Sequence, residues 1–171
     1  MTTSIPKLAT AGMVLFMSAS CVLWMPAEGR ASSAISAAPA FSGGADEGRL
    51  ISLSSLRGKP VLLVIAPSPM DRAFRSQVAE LKGRYERLAS QGMICFAAFT
   101  ANSGLIPSNI PFLTVKNSPS VASSYGVTNG FAVAVIGADG NLDCLSMKPL
   151  PGQRILDLVN NNASIQEQLR R

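Results

Sequence analysis

The chain has 171 residues, with 15 Lys+Arg against 10 Asp+Glu and no His. Without His there is no Ser-His-Asp or Cys-His catalysis and no His-ligated zinc or haem; a carboxylate-only or thiolate-only mechanism survives that filter. Hydrophobic residues make up 47 % and charged residues 15 %, the composition of one folded domain, and a net charge of +5 with no basic block longer than Arg170-Arg171 gives a nucleic-acid partner no support.

Residues 1–27 read as an address. Lys7 is the only charge before the apolar run 8–25, and small residues follow at Ala31, Ser33, Ala38 and Ala40. That is the pattern of a secretory signal peptide. The same run is just long enough for a retained N-terminal anchor, so both remain open. Ser18-Ala19-Ser20-Cys21 resembles a bacterial lipobox, without the usual Leu three places before the Cys. Either way the chain is expected to be exported, periplasmic or secreted. It meets a membrane only if the segment is retained or Cys21 is lipidated. Residues 28–49, rich in Ala, Ser and Gly, predict a flexible leader that buries too little apolar area to order itself.

The folded domain is expected over 50–162. Lys59-Pro60 leads into Val61–Ala66, six apolar residues bounded by prolines, which suits a strand covered on both faces. Ser68 as N-cap, Pro69 at the first helical position and Asp71 two places on predict a helix start. Phe74, Val78, Leu81, Tyr85 and Leu88 then recur at steps of four and three, one apolar stripe ending at Gln91-Gly92. Arg72, Arg75, Lys82, Arg84 and Arg87 lie off that stripe. An anionic partner would use them, but Glu80 and Glu86 dilute the patch, and a solvated helix face is the reading adopted.

Residues 93–99 form a second buried strand, 100–110 a polar loop and 112–115 a brief extended piece. Ser118-Pro119 starts a short helix that Gly126 stops. Residues 131–136 are a third strand, Asp139-Gly140 a two-residue hairpin turn, and 141–147 a fourth strand. Pro151 opens a last helix with Ile155, Leu158 and Val159 facing the core; 163–171 is a tail or short helix with a capping-box pattern at Ser164. A strand-helix-strand start needs parallel pairing and a tight hairpin needs antiparallel pairing. The expected architecture is therefore α/β, a mixed four-stranded sheet with helices on both faces.

The segments 56–63 (LRGKPVLL), 110–113 with 118–127 (IPFL, SPSVASSYGV) and 135–140 (VIGADG) together resemble the thioredoxin-like superfamily, including its peroxiredoxin-like members and small secreted thioredoxin-like domains of unknown function. Ala66-Pro67-Ser68 and Gln77 are similar to the last group. The resemblance implies a three-layer thioredoxin-like fold. In redox-active members a Cys opens the first helix, its thiolate favoured by the helix dipole. Here that segment is Ser68-Pro69-Met70-Asp71-Arg72-Ala73-Phe74. Asp71 stands at the nucleophile position, and Phe74 at that of a second thiol. The family's cis-proline position falls on Phe131. Asp71 reads as a capping acid, with no neighbouring acid to form a catalytic pair. The former active-site cleft, with Ser68, Met70, Asp71 and Phe131, becomes an apolar contact surface for an unfolded segment or protein partner. In the thioredoxin strand order Cys95 and Cys144 lie on opposite edges with two strands between, roughly 14 Å apart at ~4.8 Å per strand. That is beyond the ~7 Å reach of a disulfide, so two free thiols are expected. The functional expectation is a non-catalytic binding or structural module. The alternative is a thiol oxidoreductase or peroxidase-like enzyme using Cys95 or Cys144. No cofactor is expected, and no metal, because Asp46, Asp139 and Asp143 lack the spacing of a calcium loop.

Overall fold

The computed structural model describes residues 36–44, 50–128 and 130–169; the expected signal or anchor segment 1–27, with Cys21, lies outside them. The strands are β1 (Ser42–Gly44), β2 (Ile51–Ser52), β3 (Val61–Ala66), β4 (Ile94–Phe99), β5 (Phe112–Val115), β6 (Ala132–Ile136) and β7 (Leu142–Ser146). The helices are α1 (Arg72–Lys82), α2 (Tyr85–Ser90), α3 (Ser118–Ser124) and α4 (Gly152–Leu169), and a 3₁₀ turn spans Leu53–Leu56.

The unbroken apolar run of β3 makes it central. It pairs in parallel with β4, from Val61↔Ile94 to Ala66↔Phe99, and antiparallel with β6, from Val61↔Ile136 to Ile65↔Ala132. Period-two alternation then splits one strand between two cores. Leu62, Val64 and Ala66 face α1 and α4, against Phe74, Val78, Leu81 and Ile155. Val61, Leu63 and Ile65 face α3 and the N-terminal segment, against Val121, Tyr125 and Phe41. Helices on both faces of a mixed sheet were expected and are found.

The sheet has seven strands in the order β2-β1-β5-β4-β3-β6-β7, rather than four. The extended piece Phe112–Val115 is a full parallel neighbour of β4, so β4 is interior and not an edge. Two further strands are β1, in the expected leader, and β2, at the very start of the expected folded domain. In β1, Gly43 pairs with Val115, and a Cβ there would lie 2.5 Å from Thr114 O and 3.0 Å from the Phe96 ring. Only glycine permits that approach. Phe41, just before it, is buried edge-on against Phe96 at 5.1 Å. Within the span 28–49 expected as a flexible leader, residues 42–44 thus form a strand, held by one aromatic anchor and a glycine contact.

Local ends also shift. Asp71, not Ser68, is the N-cap of α1: the Ala73 and Phe74 N–H groups donate to Asp71 Oδ1 at 2.9 and 3.1 Å. Residues 68–71 close a turn first, with Asp71 N–H donating to Ser68 O at 3.1 Å. The predicted long helix breaks at Gly83-Arg84 into α1 and α2, with Phe74, Val78, Leu81 and Leu88 still buried along one stripe. The hairpin loop holds three residues, not two. Gly137 and Asn141 close it, and Gly140 alone carries the positive φ, 82°. The expected tail at 163 continues α4 without a break to Leu169.

Gln77 is the one fully buried polar side chain in α1. It accepts from Leu150 N–H at 2.7 Å and donates to Leu150 O at 3.1 Å. This pair of hydrogen bonds to the backbone between Pro149 and Pro151 fixes where α4 begins. Glu80 Oε2 adds a third tie, accepting from Gly152 N–H at 3.2 Å.

Candidate functional site around the start of α1

The C-terminal end of β3 delivers residues 67–71 to the end of the sheet from which α1 rises. One register step beyond the Ile65↔Ala132 pair, Phe131 comes level with Ala66, so the chain entering β6 meets the chain leaving β3. The family position of Phe131 and the start of α1 are therefore at the same end of the sheet.

The expected site residues divide into two groups. Ser68 and Asp71 are half-buried and Met70 is 64 % exposed. Phe74 and Phe131 are not surface groups. Phe74 is fully buried, its ring edge-on to Phe99 at 5.2 Å and tilted to Phe112 at 5.8 Å. Phe131 is 9 % exposed and belongs to the same core. The apolar contact surface expected from Phe131 and Met70 together reduces to Met70, because alternation along β6 points residue 131 inward with Val133 and Val135.

The thiols occupy one row of the sheet: Cys95 pairs with Leu62, Leu62 with Val135 and Val135 with Cys144. Three strand spacings separate them, and both are free. Cys95 is 2 % exposed, and burial pushes its thiol up to about 12. Burial also raises the half-exposed Cys144 thiol; Arg154 opposes that rise and the Asp143 carboxylate adds to it. Neither sits at a helix N-terminus, where a thiolate would be favoured.

Two features escaped the sequence. An open groove of about 1020 Å³ runs along the outer face of α1, bounded by Pro69, Met70 and Pro107 and carrying Arg72, Arg75 and Lys82. Its wall from residue 107 comes from the polar loop, which no helical pattern brings to α1. At the β6–β7 hairpin, Asp139, Asp143 and Asn162 surround Gly137, where a Cβ would meet all three side chains within 3 Å. Asn162 Nδ2 donates to Asp143 Oδ2. Burial, then the neighbouring Asp139 charge, pushes the Asp143 carboxyl up to about 6 despite that bond. The approach of Asn162 along α4 was the missing signal. Among the described residues no three Cys, Asp or Glu side chains group to hold a metal ion, and Asp46 lies outside them.

No family model matches the chain, and no curated protein matches its sequence. Solved structures do match. The thioredoxin domain of a thiol-disulfide oxidoreductase from Bacteroides vulgatus is 17 % identical, with 71 % of this chain and 94 % of that one covered and a TM-score of 0.59. The exposed lipoprotein thioredoxin of Streptococcus pneumoniae is 18 % identical over 72 % of this chain and 99 % of its own, TM-score 0.56. Thioredoxin peroxidase I of Plasmodium yoelii is 18 % identical over 80 % of this chain and 92 % of its own, TM-score 0.58. At these identities the likeness is one of fold, and the fold is thioredoxin-like. Among the described residues no helix is long and apolar enough to cross a membrane.

Proposed function

We propose, from a thioredoxin-like fold with no thiol where α1 begins, that the chain is an exported binding or structural module without thiol-disulfide turnover. One observation carries this reading. The first turn of α1, where backbone N–H groups converge, holds Asp71 as its cap, and the Cys95 and Cys144 thiols lie inside strands with their pKa values raised. A thiol must ionise to attack a disulfide or peroxide, and burial opposes that. Phe131 stands where the family resemblance puts a proline, a second departure in the same direction.

Export rests on the pattern of residues 1–27: one positive charge, an apolar run and small residues after it. The likeness in fold to an exposed lipoprotein thioredoxin is in keeping with it.

The competing activity is a reductase or peroxidase using Cys95 or Cys144. Insulin-disulfide reduction and hydrogen peroxide consumption by the purified chain, beside a Cys95→Ser/Cys144→Ser variant, separate the two. The proposal expects no turnover above buffer and no difference between the proteins. Turnover lost in the variant overturns it.

A further inference from the structure

The groove along α1 has a lining of one sign. Arg72, Arg75 and Lys82 border it and no Asp or Glu does. The sequence alone suggests dilution by Glu80 and Glu86, but the fold sends these elsewhere. Glu80 Oε2 is engaged with Gly152 N–H at the start of α4, and Glu86 borders an adjoining hollow with Arg84 and Arg87 that meets the groove only at Lys82. Among the described residues no hydrogen bond or ion pair engages the side chains of Arg72, Arg75 or Lys82; the Arg75 backbone N–H donates to Asp71 O within the helix start. Three unpartnered cations share one helix face at steps of three and seven, with the small Ser76 and Ala79 leaving space between them.

Apart from Ser76, the rest of the lining is apolar. Pro69 is buried at the groove's floor, Pro107 forms an exposed rigid wall, and Met70 offers a polarisable, adaptable side chain 64 % exposed. Leu105, 94 % exposed, is next to Gly104, which lies beside Pro69. Cations in a row beside an apolar ledge fit a ligand that presents carboxylates and apolar side chains along one line. From Arg72 to Lys82 is about 15 Å at the helical rise, the span of about four or five extended residues.

We propose that this groove binds an extended acidic segment of a partner protein, its apolar side chains on Met70 and Pro107 and its carboxylates on Arg72, Arg75 and Lys82. The proposal rests on the binding-module reading and names the partner's chemistry. The concavity favours a peptide over a flat anionic bilayer. The lining also holds no exposed aromatic ring on which a nucleobase would stack.

The test is fluorescence anisotropy with the purified chain and two labelled synthetic peptides, one alternating Asp with Leu and one alternating Lys with Leu. Phosphatidylglycerol vesicles form a third arm. The Asp/Leu peptide is expected to bind at least tenfold more tightly than the Lys/Leu peptide, and binding should weaken with added salt. Arg75→Glu/Lys82→Glu should reduce its affinity at least tenfold, and Met70→Ser several-fold, with unchanged melting temperature because all three side chains are exposed. If the double reversal fails to fold, Arg75→Gln/Lys82→Gln takes its place. Equal binding of both peptides, indifference to the charge variants, or binding to vesicles alone overturns the proposal. A negative peptide result without cysteine-dependent turnover leaves the module reading standing; cysteine-dependent turnover removes that reading whatever the peptides do.

Discussion

Two aspartates occupy opposite settings in this fold. Asp71 stands at the open start of α1, and its carboxylate receives two backbone N–H donors at 2.9 and 3.1 Å. Asp143 stands in β7 beside Cys144, half-buried and facing Asp139, and its carboxyl is pushed up to about 6. One end of the sheet supplies donors to an acidic group, and the other withdraws water and adds a like charge. The thiols follow the second setting. What decides whether this scaffold has reactive sulfur is therefore which setting holds it, and neither thiol of the described residues lies at the favourable end.

The strongest way to sharpen the contrast is to move a thiol across it. In a Cys21→Ser background, Asp71→Cys is expected to react with iodoacetamide at neutral pH about 10²–10³-fold faster than Cys95. A helix N-terminal thiol near pKa ~7 compares with one at about 12, and lower intrinsic nucleophilicity cancels about half of the gain in thiolate. Equal rates at the two positions would break the comparison. Loss of the cap costs about 1 kcal/mol, small enough for the variant to fold.

A smaller effect is expected at the other end. Below the ordinary carboxyl value of 3.8, Asp143 is protonated in both folded and unfolded chains. Between 3.8 and about 6 the folded chain holds the extra proton, so stability falls as pH rises through that window, and the whole penalty is in place above it. Asp143→Asn should therefore raise the melting temperature at pH 7 and leave it unchanged near pH 3. Because the group is half in water, the gain is about 1 kcal/mol rather than that of a fully buried pair. An equal shift at both pH values would remove the electrostatic explanation.

Much of this layout was legible where local pattern and tertiary demand agree. The apolar runs of β3, β4 and β6 and the stripe Phe74-Val78-Leu81-Leu88 mark core elements that no other packing would satisfy. Patterns that need a distant partner were not legible. Gly43 is a contact residue only because Phe96 and Thr114 lie beneath it, so composition reads it as linker. Ser68 and Asp71 are both good caps, and the turn across 68–71 chooses between them. At the candidate site the sequence located the turn, Met70 and the thiols. It misjudged Phe131, whose burial the sheet register sets, and it counted Glu80 against the basic face before α4 was there to claim it.

The central claim is that neither strand thiol ionises under physiological conditions. Following thiolate absorbance of the folded Cys21→Ser chain against pH measures this directly. Both ordinary values start at 9.0 and are raised, to about 12 for Cys95, so each thiol should be less than half ionised at pH 9 and almost wholly protonated at pH 7. A thiolate titrating near pH 7 in the folded chain would contradict the account.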